Sequence, residues 1–159
     1  MSLFDPNEFL NATTTEAATR RPLIPVDNPA DANGLYPAVL GEITLADGII
    51  SKGDRAGQPW AQAVIPLRLQ LPPEVQALVG GQAELVITDR PMLDIVNKAL
   101  DWSVGKNRGL RVYREATGLN VKGDPFSIAM LQGKMVKVKI AHEEYQGNFS
   151  EKFRAVFPG

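Results

Sequence analysis

The sequence predicts a mainly β domain with inserted helices, and three observations point to it. Apolar residues alternate over "GLYPAVLGEITL" and "WAQAVIPLRLQL", the period of strands with one face on a core. Glycine and proline cluster in "ADGIISKGDRAGQP" between those runs, as a long loop requires. The closing stretch, "GKMVKVKIAHEEYQGNFSEKFRAVFPG", alternates on both sides of a Gln-Gly pair, the pattern of a β-hairpin.

Taken in order, residues 1–34 are rich in Thr, Ala, Asn and Pro with no sustained period, and are expected to form a flexible arm. Within it, "FDPNEFL" suits a short turn of helix. The folded domain is expected over residues 35–159. Its first strand places Leu35, Val39, Ile43 and Leu45 on alternating positions. Its partner directs Ala61, Ala63, Ile65, Leu67, Leu69 and Leu71 to one side, with Gln62, Arg68 and Gln70 on the other. "AELVIT" is a third, shorter strand. "RPMLDIVNKALDW" carries Met92, Ile95, Val96 and Ala99 on one stripe behind a first-turn Pro91 and predicts a helix. "NRGLRVYREATG" predicts another, with Leu110, Tyr113 and Ala116 inward and Gly118 as its stop. "DPFSIAMLQG" predicts a short third, capped by Asp124.

For the hairpin, a two-residue turn at Gln146-Gly147 sets Val136 against Phe157, Val138 against Ala155 and Ile140 against Phe153. A three-residue loop would set Ile140 against Lys152 and Val138 against Arg154, mixing core with charge on one face, and a slip of one residue inverts a whole strand. The inner face is then Val136, Val138, Ile140, Phe153 and Phe157. The outer face collects Lys137, Lys139, Lys152 and Arg154, with Lys139 opposite Arg154 and Tyr145 at the tip. Such cations suit a bound polyanion; they also suit a sheet edge kept soluble by lysines.

Strand, Gly-rich loop, strand, strand, helices and terminal hairpin is the order of a five-stranded OB-fold barrel, with helices between strands 3 and 4. "GLYPAV", "SKGDRAGQPW" and "LQGKMVKVKIAHEEYQGNFSEKFRAVFP" together resemble a phage-encoded family of OB-fold single-stranded-DNA-binding proteins over about residues 34–158, most strongly over 133–158. The resemblance implies a protein of the host-cell cytoplasm that coats single-stranded DNA in phage replication or recombination, alongside other replication or recombination proteins.

An OB-fold binds through its middle strands and the loops joining strands 1–2 and 4–5, here 46–59 and 143–148. Binding without sequence preference needs aromatic faces for bases and cations for phosphates. Trp60 and Tyr145 are the candidate platforms, although Trp60 also suits a core plug and Tyr145 turn packing. Lys52, Arg55, Arg68, Lys137, Lys139, Lys152 and Arg154 are the candidate phosphate partners. The Arg108, Arg111 and Arg114 face reads as solvated, and Trp102 and Tyr113 as helix packing.

Net charge is −1 overall, but residues 106–159 hold ten basic residues against five acidic ones while each preceding segment is negative. The absence of cysteine excludes disulfides and thiolate chemistry, and a lone histidine, His142, excludes His-pair metal motifs. "LQGKM" has Ile128 where a P-loop has glycine and Met135 where it has Ser or Thr. No catalytic activity, metal or cofactor is expected. No run approaches the roughly 20 apolar residues of a membrane span, and "MSLFDPNEFL" lacks the pattern of a secretory signal. The alternative reading is a non-catalytic phage structural or protein-interaction protein. In that reading the barrel and arm hold another protein, and in either reading the arm is a candidate contact between copies.

Overall fold

The computed structural model describes residues 3–18 and 20–159. In chain order its elements are α1 (Pro6–Asn11), β1 (Tyr36–Leu40), β2 (Thr44–Ile49), β3 (Pro59–Gln70), α2 (Pro73–Gln76), β4 (Glu84–Asp89), β5 (Ile95–Val96), β6 (Ala99–Leu100), α3 (Arg108–Ala116), β7 (Met135–Tyr145) and β8 (Asn148–Pro158). The protein is mainly β, with a few short helices and an antiparallel sheet of six strands.

β3 is the long central strand. β1 pairs with its residues 67–69 and β2 with 59–64, so the chain from 36 to 49 follows β3 with a break at Gly41–Ile43. β4 covers residues 65–70 of β3, and Pro91–Leu93 continue along it through Ala63 N–H to Pro91 O and Leu93 N–H to Ala61 O. β7 joins β1, and β8 joins β7. β4 and β8 approach within 8 Å between Cα atoms, but no backbone ladder joins them among the described residues.

Alternation decides what lies inside. Ala63, Ile65, Leu67 and Leu69 of β3 are fully buried, as their spacing predicts, with Ile87, Val136, Val138 and Ile140 from neighbouring strands. The first strand takes the opposite phase to the expected one: Tyr36, Ala38 and Leu40 are buried, while Leu35 and Val39 are half-exposed. Tyr36 can enter the core because its hydroxyl donates to Pro25 O (2.7 Å). α3 is the expected helix, burying Leu110, Tyr113 and Ala116 and ending before Gly118 in the left-handed region. Tyr113 stacks on Phe153 and donates to Asp89 Oδ2 (2.6 Å).

Two helix expectations are corrected. "RPMLDIVNKALDW" forms the β5–β6 hairpin, because Asn97 and Lys98 both adopt positive φ (50° and 64°) as a two-residue primed turn does. Asn107, buried, fixes that hairpin: it donates to Asp94 O and Asp101 O and accepts from Asp94 N–H, while its own N–H donates to Asp94 Oδ2. In "DPFSIAMLQG" only a 3-10 turn over Ile128–Leu131 forms.

The closing hairpin turns at Gln146-Gly147, with φ of 52° and 78°. Ile140 lies opposite Phe153 as expected, but a bulge follows and Lys139 pairs with Ala155. Beyond it the register is shifted by one: Val138 faces Val156, Val136 faces Pro158, and Val156 is buried in place of Phe157, which is 42% exposed. An extra residue, Arg154, is left over, the usual effect of a bulge.

Residues 1–34 divide into two parts. In residues 3–18, α1 buries nothing. Residues 20–28 lie on the body, and Ile24 is fully buried in the core. Glu151 receives both prongs of Arg21 (2.6 and 2.8 Å) and the Ile24 N–H (2.9 Å), and His142 Nε2 donates to Ile24 O (2.7 Å). His142 and Glu151 do stand opposite each other, and both hold this incoming strand of chain.

Candidate nucleic-acid interface

The outward side of β3 carries Trp60, Gln62, Val64, Pro66 and Arg68, set there by the burial of the residues between them. Trp60 lies against Gly48, its partner on β2; a Cβ at Gly48 would sit 2.7–2.8 Å from the indole ring. A backbone without a side chain therefore makes the seat for this ring. The indole is half-buried and lines a cavity with Asp47, Pro59, Ala61, Leu93 and Ile95. It is neither a core plug nor fully exposed.

The loop beside it is shorter than expected. β2 runs to Ile49, and the bonds Ile50 N–H to Gln58 O and Gly57 N–H to Ile50 O carry the pairing further, so the turn occupies residues 51–57. Lys52 and Arg55 stand in this turn, exposed and with no acid within ion-pair distance among the described residues. The second expected loop, 143–148, is likewise only the turn at Gln146-Gly147, and Tyr145 is 71% exposed at its edge.

The other candidate cations differ in their partners. Arg68 makes a two-pronged pair with Glu84 (3.0 and 3.1 Å). That pair raises the guanidinium further and, with Gln70, holds the Glu84 carboxyl below the ordinary range. Lys137 lies 3.6 Å from Asp31, and Lys152 lies 3.3 Å from Glu143. The Leu35 N–H is the main group lowering the Asp31 carboxyl, and Lys137 adds to it. Lys139 and Arg154 have no such partner among the described residues. Because of the bulge, Lys139 does not face Arg154, so the like-charge opposition that favoured a bound polyanion is absent.

The candidates fall on separate parts of the surface. Lys52, Arg55 and Trp60 belong to the β2–β3 hairpin. Lys137 and Lys139 share a different cavity with Asn33, Leu35, Phe157 and Pro158. Lys152 lines a third with Thr88, Asp89, Arg90, Glu143, Glu151 and Phe153. The chain from Thr88 to Ile95 connects this third cavity to Trp60, since Met92 bridges to Gln62 and Leu93 and Ile95 reach the indole cavity.

Sequence reading missed Arg90, exposed on that connecting segment, and Phe149, 55% exposed beside the hairpin tip. Exposure of Val86, Thr88 and Arg90 at every second position is the signal for the first. Arg114 is not solvated as expected: its guanidinium sits between Trp102 (4.8 Å) and Phe126 (4.7 Å). Among the described residues no group of three or more His, Asp or Glu side chains is placed to hold a metal, and no helix is long and apolar enough to cross a membrane.

The chain matches no protein-family model and no curated protein.

Proposed function

We propose that the chain is a five-stranded OB-fold protein that binds single-stranded DNA without sequence preference, in phage replication or recombination, and that it is not a catalyst. The strand connections support the barrel. β1 and β2 act as one bent first strand, β3 and β4 as the second and third, and β7 and β8 as the fourth and fifth, with α3 before the fourth. The nearness of β4 and β8 supports its closure.

The observation that carries the binding reading is Trp60 on Gly48, in a hairpin whose turn carries Lys52 and Arg55, neither paired with an acid among the described residues, and next to the segment that leads from Arg90 to Leu93. An aromatic ring seated on backbone, on the same hairpin as exposed cations, is what stacking of bases and neutralisation of phosphates require. The DNA track runs along the outward side of β3 and β4 towards Lys152 and the hairpin tip, where Tyr145 and Phe149 offer further rings. Lys137 and Lys139 lie off this track.

The test is titration of labelled oligo-dT and of duplex DNA across a salt series. Oligo-dT is expected to bind in preference, with log K falling by about 0.7 per neutralised phosphate for each unit of log salt. Trp60→Ala is expected to cost about 1–3 kcal/mol of binding, and Lys52→Glu with Arg55→Glu to flatten the salt slope. Binding that ignores salt, or prefers duplex, overturns the reading. Pairing of three candidate cations with acids favours one alternative, a non-catalytic phage protein-interaction protein. Failure to bind either DNA at low salt selects it.

A further inference from the structure

We infer that the outward face of β7–β8 away from the turn is a second contact for single-stranded DNA, with a base on Phe157 and phosphates on Lys137 and Lys139. The ligand rests on the single-strand reading above; the place is new, since both lysines lie off the Trp60 track. Register brings the parts together. Lys137 stands opposite Phe157 and Lys139 opposite Ala155, so the four side chains leave the same side of the ribbon. Phe157 is there because the bulge turns Val156 inward in its place, and re-aiming a side chain is a common use of a bulge at a functional position. The ring is 42% exposed, and the small Ala155 leaves room beside it. With Asn33, Leu35 and Pro158, the ring and the two lysines line a cavity of about 400 Å³, within the range of small-ligand pockets.

Solubility does not account for this surface. Lysines protect free sheet edges, but β7 is bonded to β1 on one side and to β8 on the other. An exposed phenyl ring beside them works against solubility. A strand of DNA does suit the arrangement. Lys137 and Lys139 are two residues apart on one face, about 6–7 Å, close to the step between successive phosphates of an extended single strand. Asp31, 3.6 Å from Lys137, positions that lysine and offsets part of its charge. Lys139 is exposed and has no acid partner among the described residues, so it carries the net charge of the site. The Asn33 N–H donates to Asp31 Oδ2 (3.0 Å), which fixes a residue whose side-chain amide can donate to or accept from a base edge.

Distance separates this contact from the first. From Trp60 to Arg68 is eight strand residues, about 26 Å. From Arg68 the row continues through Val39 of β1 to Met135 of β7, two strand spacings or about 10 Å. Lys137 is the next outward residue along β7, on the side farther from Trp60. A strand of a few nucleotides therefore occupies one contact, whereas a longer one is held at both and gains avidity.

The test is an NMR titration of the isotope-labelled full-length protein with oligo-dT of about four nucleotides, near the lower limit for an OB-fold site. Two sets of amide shifts are expected, one around Gly48 and Trp60 and one around Asn33, Lys137, Lys139 and Phe157. Lys139→Glu is expected to raise the dissociation constant read from the second set by about tenfold, and Phe157→Ala by about fivefold to a hundredfold, both leaving the first set unchanged. Trp60→Ala is expected to do the converse. Melting temperature verifies that each variant is folded. Shifts in the first set alone overturn this inference and leave the single-strand reading standing; shifts in neither overturn both. A second set that oligoglutamate of the same length moves as readily as oligo-dT assigns the face to an acidic protein. One that thymidine monophosphate moves as readily assigns it to a free nucleotide, and either result overturns the strand contact.

Discussion

Asn107 shows how much can rest on one side chain. It is 1% exposed, sits at positive φ before α3, and joins Asp94 and Asp101 through four hydrogen bonds. Removing the amide leaves the partly buried Asp94 N–H and Asp101 O without this partner, while Asp94 O keeps the Asp101 N–H; each lost bond costs about 1–3 kcal/mol. Asn107→Ala is therefore expected to lower the denaturation midpoint by the equivalent of about 2–4 kcal/mol, a loss that chemical denaturation measures directly; a change within error would show that water replaces the side chain. Gly48 has a comparable role on the candidate interface. Gly48→Ala forces the Trp60 ring off its seat, so oligo-dT affinity is expected to fall while the core, which Gly48 does not touch, persists. The cations teach a different lesson at this scale. Lys137, Arg68 and Lys152 were legible as outward-facing from alternation alone, and Glu143 lies one diagonal step from Lys152 in the same hairpin, but the partners Asp31 and Glu84 were not legible. Those two are contributed by separate stretches of chain, and no local period encodes the meeting.

At the scale of elements, the β7–β8 hairpin is where sequence reading reached furthest. The turn, the pairing from Tyr145–Asn148 to Ile140–Phe153, and the inward set Val136, Val138, Ile140 follow from keeping hydrocarbon on one side. The bulge was not legible because Val156 and Phe157 are both apolar, so either phase satisfies the pattern. The β5–β6 hairpin was misread for a related reason. Met92, Ile95, Val96 and Ala99 satisfy helical spacing, and only the positive φ of Asn97 and Lys98 with the distant Asn107 settles the matter.

The turn-side half of the β7–β8 ribbon also makes a pH-sensitive clasp. Burial acts to raise the Glu151 carboxyl, but hydrogen bonds from Arg21 and the Ile24 N–H outweigh it and hold the group below the ordinary glutamate range. A depressed carboxylate stabilises the fold above its unfolded pKa of about 4.3, and the contribution disappears as pH falls through the lower folded value. The difference in melting temperature between the native protein and Glu151→Gln is therefore expected to be full at pH 7 and to shrink towards zero in strongly acidic buffer. A gap that stays constant with pH would exclude the ionised clasp.

For the molecule as a whole, the question is where the folded unit begins. Composition puts the change at residue 35, because nothing periodic precedes it. The core places it earlier. Ile24 is fully buried, Tyr36 enters the core by donating to Pro25 O, and its phenol is pushed up to about 12 chiefly by burial. Asn28, also buried, closes the following turn by donating to Leu35 O and accepting from Ala30 N–H. An isolated isoleucine among prolines carries no period, so sequence alone could not recruit it. Three changes separate the parts. Deleting residues 1–18 is expected to leave the melting temperature unchanged, since α1 buries nothing. Ile24→Ala is expected to cost about 2–5 kcal/mol, the range for a large aliphatic side chain lost from a core. Deleting residues 1–28 removes Ile24 together with the Glu151 and His142 contacts, so its loss is expected to exceed that of Ile24→Ala. If the 1–18 deletion destabilised the protein as strongly as Ile24→Ala, the first eighteen residues would belong to the core.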